Sequence, residues 1–324
     1  MINSTLSAPS ESSSTDTGIA PAYLRRLSPL FTVIRWELRR LTSTQMIWIS
    51  ALLVFVLTCL LEVAISSNPD TATFPSDYGA RKVTIDWLSN YGLFHTLPTF
   101  LGLILALFIP FLCTDGVARD LKRGAYELIM TTALPSWAYV WGRYLCCLLL
   151  SLGVACVMLL GILTTAVGMR LFQPDIVLTP DFRGILFLWA VIFLPPVLII
   201  SGVSFGLGTL FPRFSNLIKV VMLLGWFLDR PLLGRFATGD VAAAWDPTSQ
   251  TAASIPSTGT VLTQLARQTQ HATTAMFLVR LHAFETQLPD VSSWIIPRLI
   301  WVSLGIAVVL LASLYFRRFR DARG

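Results

Sequence analysis

IWISALLVFVLTCLLEVAI, residues Ile47–Ile65, holds a single charge, Glu62, in nineteen residues. At 1.5 Å per residue a helix of that length reaches about 28 Å, close to the thickness of a bilayer's hydrocarbon core. Its apolar side chains surround the helix on all sides, so it belongs in lipid or deep in a core. Five more apolar runs follow: Leu93–Thr114, Tyr139–Met169, Ile185–Phe211, Leu217–Leu233 and Ile295–Phe316. The third is too long for one crossing, so one of its ends projects into water. The fifth is interrupted by Asp229-Arg230-Pro231. Composition agrees, with 54% of the 324 residues hydrophobic and 13% charged, against roughly a quarter charged in soluble domains. The expected fold class is an all-α integral membrane protein with six transmembrane helices.

The bases set the orientation. Fifteen of the 24 bases but only seven of the 18 acids fall on the side that carries both termini. Arg25, Arg26, Arg119, Lys122, Arg143, Arg213, Lys219 and Arg317 are among them. The positive-inside rule makes that side cytoplasmic, in a multi-pass protein of the cell inner membrane. Because the bases flank apolar runs, the net charge of +6 points to a membrane and not to nucleic acid. Residues 1–24 are rich in Ser and Thr and read as a disordered cytoplasmic tail. Ser66–Tyr91, with Asp70, Asp77 and Asp86, is a short external segment. Residues 234–294 form a long external loop, helix-like from Thr260 to Gln287, where Leu262, Leu265, Met276, Phe277, Leu281 and Phe284 recur at helical spacing.

Two stretches on the cytoplasmic side carry more information. PLFTVIRWELRRLTSTQ, Pro29–Gln45, mixes apolar residues with Arg35, Trp36, Glu37, Arg39 and Arg40, the pattern of a helix lying in the membrane interface. In Thr114–Leu145, Val117, Leu121, Ala125 and Leu128 form an apolar stripe, while Asp120, Arg123 and Glu127 occupy the other face. Arg123 and Glu127 are spaced to pair across one turn. Pro135 ends that helix, and Trp137, Tyr139 and Trp141 anchor the next span.

This layout resembles the ABC type-2 transporter permeases, closest to the subgroup tied to copper-enzyme maturation and gliding motility. Asp120, Gly124, Glu127 and Leu128 fall where that family carries E-x-x-x-G-T-x-E-L between its second and third spans. Pro135 and Gly142-Arg143 follow where the family has a Pro and a Gly-Lys. The Trp36-Glu37-Leu38 of the interfacial stretch and the Trp245-Asp246-Pro247 after the fifth span also look similar to the family's segments. Ala125, Asp120 and Arg143 replace its usual Thr, Glu and Lys. The resemblance implies that residues 25–324 form a type-2 transmembrane domain, the permease of an exporter. It also implies a homodimer or heterodimer of permeases, and two copies of a separate ABC ATPase that carries the ATP and Mg. Asp120, Arg123, Gly124, Glu127 and Leu128 would be the coupling element to that ATPase. The chain itself contains no G-x-x-x-x-G-K-[ST] loop, so no cofactor is expected on it and it is not expected to be an enzyme.

Other marks read more plainly. The G-x-S-x-G within Ser201–Gly208 lies in an apolar helical run, where Gly202/Gly206 and Ser204/Gly208 suit small-residue helix packing. Pro195-Pro196 should kink the fourth span. Cys59, Cys113, Cys146, Cys147 and Cys156 form no C-x-x-C pair and no metal site is expected. Glu62, Asp229 and Arg230 are charges near the outer ends of spans and form a candidate external gate. Two other classes compete with a permease. One is a polytopic membrane enzyme, an intramembrane hydrolase or acyltransferase; the other is an ion-coupled carrier. The topology has a direct test: a cysteine introduced at Ser254 is expected to react with an impermeant thiol reagent from the outer face alone, and labelling from the cytoplasmic face alone overturns the assignment.

Overall fold

The computed structural model describes residues 22–67, 71–76, 79–84, 86, 88–122, 135–172, 180–236, 239–251, 264–265, 267–268, 273–288 and 290–321. In chain order its helices are α1 (Ala22–Thr42), α2 (Gln45–Ser66), α3 (Asn90–Thr96), α4 (Gly102–Cys113), α5 (Asp115–Lys122) and α6 (Ser136–Phe172). They continue as α7 (Phe182–Ile192), α8 (Leu194–Leu210), α9 (Ser215–Phe236), α10 (Gly239–Trp245), α11 (Thr274–Thr286) and α12 (Ile295–Asp321). Among the described residues, four helical stretches are long and apolar enough to cross a membrane: α2, α6, the α7–α8 pair over Phe182–Leu210, and Ser292–Phe316. This is the makeup of a helical membrane protein.

The other two runs are helical as well. Leu93–Thr114 falls on α3, a π-helical turn at Leu97–Leu101, and α4. Pro98 explains the widened turn, because its ring removes the N–H that would bond one turn back. Leu217–Leu233 falls inside α9.

Three local features differ from the expectation. An antiparallel hairpin, β1 (Thr71–Ser76) and β2 (Gly79–Thr84), stands between α2 and α3 and pairs Thr71 with Thr84. The β-branched Thr71, Thr73, Val83 and Thr84 favour extended backbone there, in a chain read as wholly helical. Helix α1 begins at Ala22, so it takes in the last residues assigned to the tail; residues 1–21 lie outside the described ones. Within the long loop, α11 takes up the later part of the helix-like stretch, with Thr273 capping Met276 N–H; residues 260–263, 266 and 269–272 lie outside the described ones, and α10, before that stretch, is unexpected.

The double proline breaks the fourth run at Phe193, between α7 and α8. Pro195 and Pro196 lack the N–H groups that would bond the carbonyls of residues 191 and 192. They sit instead in the first turn of α8, where no such donor is needed. The Ser249 hydroxyl donates to the freed Ile192 carbonyl at 3.1 Å, and the Trp189 indole donates to Ala155 O of α6 at 2.9 Å.

Small residues set the closest contacts, as their spacing implied. A Cβ on Gly202 would lie 3.0 Å from the Gly305 backbone, and one on Gly206 would lie 2.6 Å from Val308 Cγ1, both on α12. On α6, Gly161 faces Thr58 of α2, where a Cβ would come within 2.9 Å. Cys59 Sγ donates to Gly161 O across the same seam.

At the end of the bundle away from α1, α11 is pinned to the start of α3. Asp86 N–H donates to Glu285 Oε1 at 3.0 Å, Asn90 Nδ2 donates to Thr286 O at 2.9 Å, and the Tyr91 and Phe284 rings lie 4.6 Å apart. Burial pushes the Glu285 carboxyl up to about 7, against the lowering effect of the Asp86 N–H and with a further rise from the Asp86 charge. A raised carboxyl stabilises the fold below its unfolded value, and that contribution is lost as pH rises through about 7. Thermal stability of the purified protein is therefore expected to fall between about pH 5 and pH 8, by on the order of 2 kcal/mol from this group. Glu285→Gln should flatten that part of the profile.

Candidate functional site

Helix α1 lies across the start of α6. Val33 and Glu37, four residues apart, face inward, while Phe31, Arg35, Trp36 and Arg39 are exposed. The two helices can approach because residue 142 is glycine: a Cβ there would sit 2.7 Å from Val33 Cγ1. The next residue, Arg143, is thereby roofed by α1 and is only 2% exposed.

A guanidinium so far from water must meet acceptors. Arg143 Nη1 donates to Glu37 Oε1 at 2.8 Å and to Gly116 O at 3.1 Å, and Nη2 forms an ion pair with Asp120 Oδ2. Tyr139 OH donates to the same Asp120 oxygen at 2.7 Å, and Arg40 Nη2 donates to Glu37 Oε1 at 2.8 Å. The Tyr139 ring stands 5.4 Å and the Trp36 ring 5.9 Å from the Arg143 guanidinium carbon. Two cations thus face two carboxylates, and the cluster is neutral overall. Burial raises the Glu37 carboxyl above its ordinary value, although Arg143 and Arg40 pull it back. Glu37 Oε2 and Arg143 Nε are buried without a partner, so the cluster keeps spare donor and acceptor capacity.

The three segments that carried the family resemblance meet here. Glu37 comes from the Trp-Glu-Leu of α1, Asp120 from α5, and Gly142-Arg143 from α6. The exposed face expected at Asp120 is corrected: its side chain is buried, because the stripe of α5 turns both Val117 and Asp120 toward the bundle. Arg123, Gly124, Glu127 and Leu128 lie outside the described residues. Three more contacts hold α5. Asp115 accepts from Lys219 Nζ of α9 at 2.7 Å, Gly116 lies against the Phe205 ring of α8, and Val117 is buried. Helix α5 therefore touches α6, α8 and α9 within eight residues, and is linked to α1 through Arg143. Sequence reading singled out Asp120 and Gly142-Arg143 separately and did not pair them. Their signal was a base and an acid of opposite charge, each near the same end of adjacent spans.

Of the candidate gate residues, the structure describes the side chains of Glu62 and Asp229. Glu62 does not reach the surface: it is fully buried on α2, and neither carboxyl oxygen has a partner. It lies one turn beyond Thr58, and Thr165, one turn beyond Gly161 on α6, likewise has an unpartnered buried hydroxyl. Asp229 Oδ2, on α9, lies at hydrogen-bond distance, 2.6 Å, from Thr248 Oγ1. Arg230 is helical, but its side chain lies outside the described residues. The Ser of the G-x-S-x-G lies mid-helix in α8 and is fully buried, with none of the strand-to-helix turn that a nucleophile elbow requires.

No protein-family model matches this chain, and no curated protein matches it. The ion cluster itself is open to test. Arg143→Met leaves buried Asp120 with only the Tyr139 hydroxyl and Glu37 with only Arg40, and is expected to cost about 3–5 kcal/mol. Arg143→Lys, which cannot reach both acids with one ammonium, should lose part of that. Thermal unfolding of the detergent-purified variants, with Arg143→Met/Glu37→Gln/Asp120→Asn as the neutral control expected to recover stability, measures both.

Proposed function

We propose that this chain is the membrane-spanning permease subunit of an ABC exporter, with six spans and both termini in the cytoplasm of the cell. One observation carries the reading. The residues that resemble three separate permease motifs converge on Arg143, so this residue of the third span is bonded to the interfacial helix and to α5 at once. A downward or lateral push on α5 would then move α1 and α6 together and not merely bend a linker. Such a lever is what an exporter needs if energy arrives from a cytoplasmic ATPase, two copies of which would hold ATP and Mg beneath a permease dimer. In this reading Asp120 transmits the motion inside the permease, and the docking contact falls to Arg123 and Glu127. The substrate is an unassigned molecule moved outward across the inner membrane.

A second reading, an ion-coupled carrier, draws on one observation: Glu62, a carboxyl buried in a span with no partner. The two are separable in one reconstituted system. The permease reading expects an ATPase with a phosphate-binding loop to co-purify with the chain, and expects efflux that requires ATP and survives an uncoupler. Glu127→Lys should leave folding intact and lose the ATPase, since breaking a desolvated charge pair at a docking surface costs about 2–5 kcal/mol. Efflux that collapses with the proton gradient and is abolished by Glu62→Gln, with no ATPase retained, selects the carrier.

A further inference from the structure

The segment Asp246–Thr251, after α10, is held by hydrogen bonds at every turn. Its Ser249 adopts φ 65°, a conformation a serine takes up only when surrounding contacts enforce it. Those contacts are present: Ser249 Oγ donates to Ile192 O at 3.1 Å, and Gln250 Nε2 donates to Trp226 O of α9 at 2.6 Å. Between these anchors lie two carboxyls and one hydroxyl.

Counting protons on that group settles which acid is charged. Asp246 Oδ1 faces Thr248 N at 2.6 Å and Thr248 Oγ1 at 2.7 Å, and Oδ2 accepts from Thr251 N at 2.6 Å and Thr251 Oγ1 at 2.8 Å. Two backbone N–H groups and the Thr251 hydroxyl point at Asp246, whereas among the described residues no N–H group points at Asp229, so Asp246 is the acid that stands as the anion and draws the Thr248 proton. Burial pushes this carboxyl up, but the neighbouring Asp229 carboxyl and the hydrogen bonds from Thr251 and Thr248 hold it below the usual carboxylate value. The Thr248 hydroxyl owns one proton, and that proton is committed to Asp246. Yet Asp229 Oδ2 stands 2.6 Å from the same hydroxyl oxygen. Two acceptors cannot share that distance without a hydrogen between them. The missing hydrogen has to come from Asp229, as a carboxylic acid donating to Thr248. Gln250 N–H, 3.4 Å away, fills the hydroxyl's other lone pair.

We propose that Asp229, Thr248 and Asp246 form a proton-binding site, in which one proton held on Asp229 passes its hydrogen bond through Thr248 to the anionic Asp246 and clasps α9 to the 246–251 segment. Among the described residues, Arg298 of α12 is a cation that acts on both acids, 6% exposed, with Nη2 donating to Ala243 O at 3.3 Å and with Nε and Nη1 unpartnered. It balances the single negative charge of the pair from nearby without a hydrogen bond to either acid. Loss of the proton would leave two carboxylates competing for one hydroxyl, and the clasp would open. The site does not depend on the exporter reading and stands about 15 Å along α9 from Lys219, at 1.5 Å per residue.

Infrared spectroscopy of the full chain in lipid nanodiscs at neutral pH tests this, with aspartate-selective carbon isotope labelling to set Asp229 apart from Glu62. The labelled wild type is expected to show a protonated-carboxyl carbonyl band that shifts with the label. Asp229→Asn should remove it. Asp246→Asn should remove it too, because the Thr248 proton is then free to serve Asp229 as an anion beside Arg298. Thr248→Ser, which keeps the hydroxyl, should retain it. Should Asp229→Asn fail to fold, the labelled wild type still decides. Absence of a label-sensitive acid band overturns the proposal, and so does a band that persists in Asp246→Asn, which would mean that burial alone protonates Asp229.

Discussion

A guanidinium that has left water has to be met on several sides, and Arg143 is met by Glu37 from α1, Asp120 from α5 and the Gly116 carbonyl. The partners come from two separate stretches of chain, α1 and α5, so the requirement is also a geometric one. Helix α1 must lie over α6, α5 must turn its acid inward, and residue 142 must be small enough for the two helices to touch. Removing any one leaves a buried charge short of compensation, and this asymmetry makes such a cluster a stronger constraint on arrangement than a contributor of net stability. The stacking of Tyr139 on Phe316 of α12, at 5.8 Å, extends the same end of the bundle to the last helix.

Backbone chemistry imposes a comparable constraint at the other end. Prolines at 195 and 196 release carbonyls that cannot remain bare in an apolar setting. A serine from a distant loop supplies the donor for one of them. That loop is consequently ordered by the helix break and in turn carries Asp246 to α9. The break, the strained Ser249 and the two-acid contact form one connected arrangement, with the fourth apolar run as its origin.

Much of this was legible in the residues. Apolar length located all six helical runs, because a run such as Ile47–Ile65 has no other economical environment. Gly202, Gly206 and the double proline behaved as their chemistry dictates, since small side chains and missing donors act locally. What was not legible depended on contacts distant in sequence. Asp120 read as solvent-facing because its helix was judged by its own stripe, whereas a base twenty-three residues later, under a helix more than eighty residues earlier, recruits it inward. Glu62 read as a charge near the outer end of a span, yet it is fully buried, one turn beyond the Thr58 that meets α6. The hairpin after α2 was missed because its alternation is short and carried largely by threonine. No periodicity in Trp245–Thr251 announces the hydrogen bonds that loop makes.

Helix α6 runs 37 residues without interruption, whereas α2 has 22. At 1.5 Å per residue these are about 55 Å and about 33 Å, beside a hydrocarbon core of roughly 30 Å. Only the shorter one matches the lipid when upright. The longer must lean or extend beyond it, and the two are joined where Gly161 meets Thr58, so neither can change its inclination alone. Bilayer thickness thereby becomes a mechanical input to the molecule: a thinner host membrane favours a greater lean of α6, and Arg143, near the start of that helix, is carried with it.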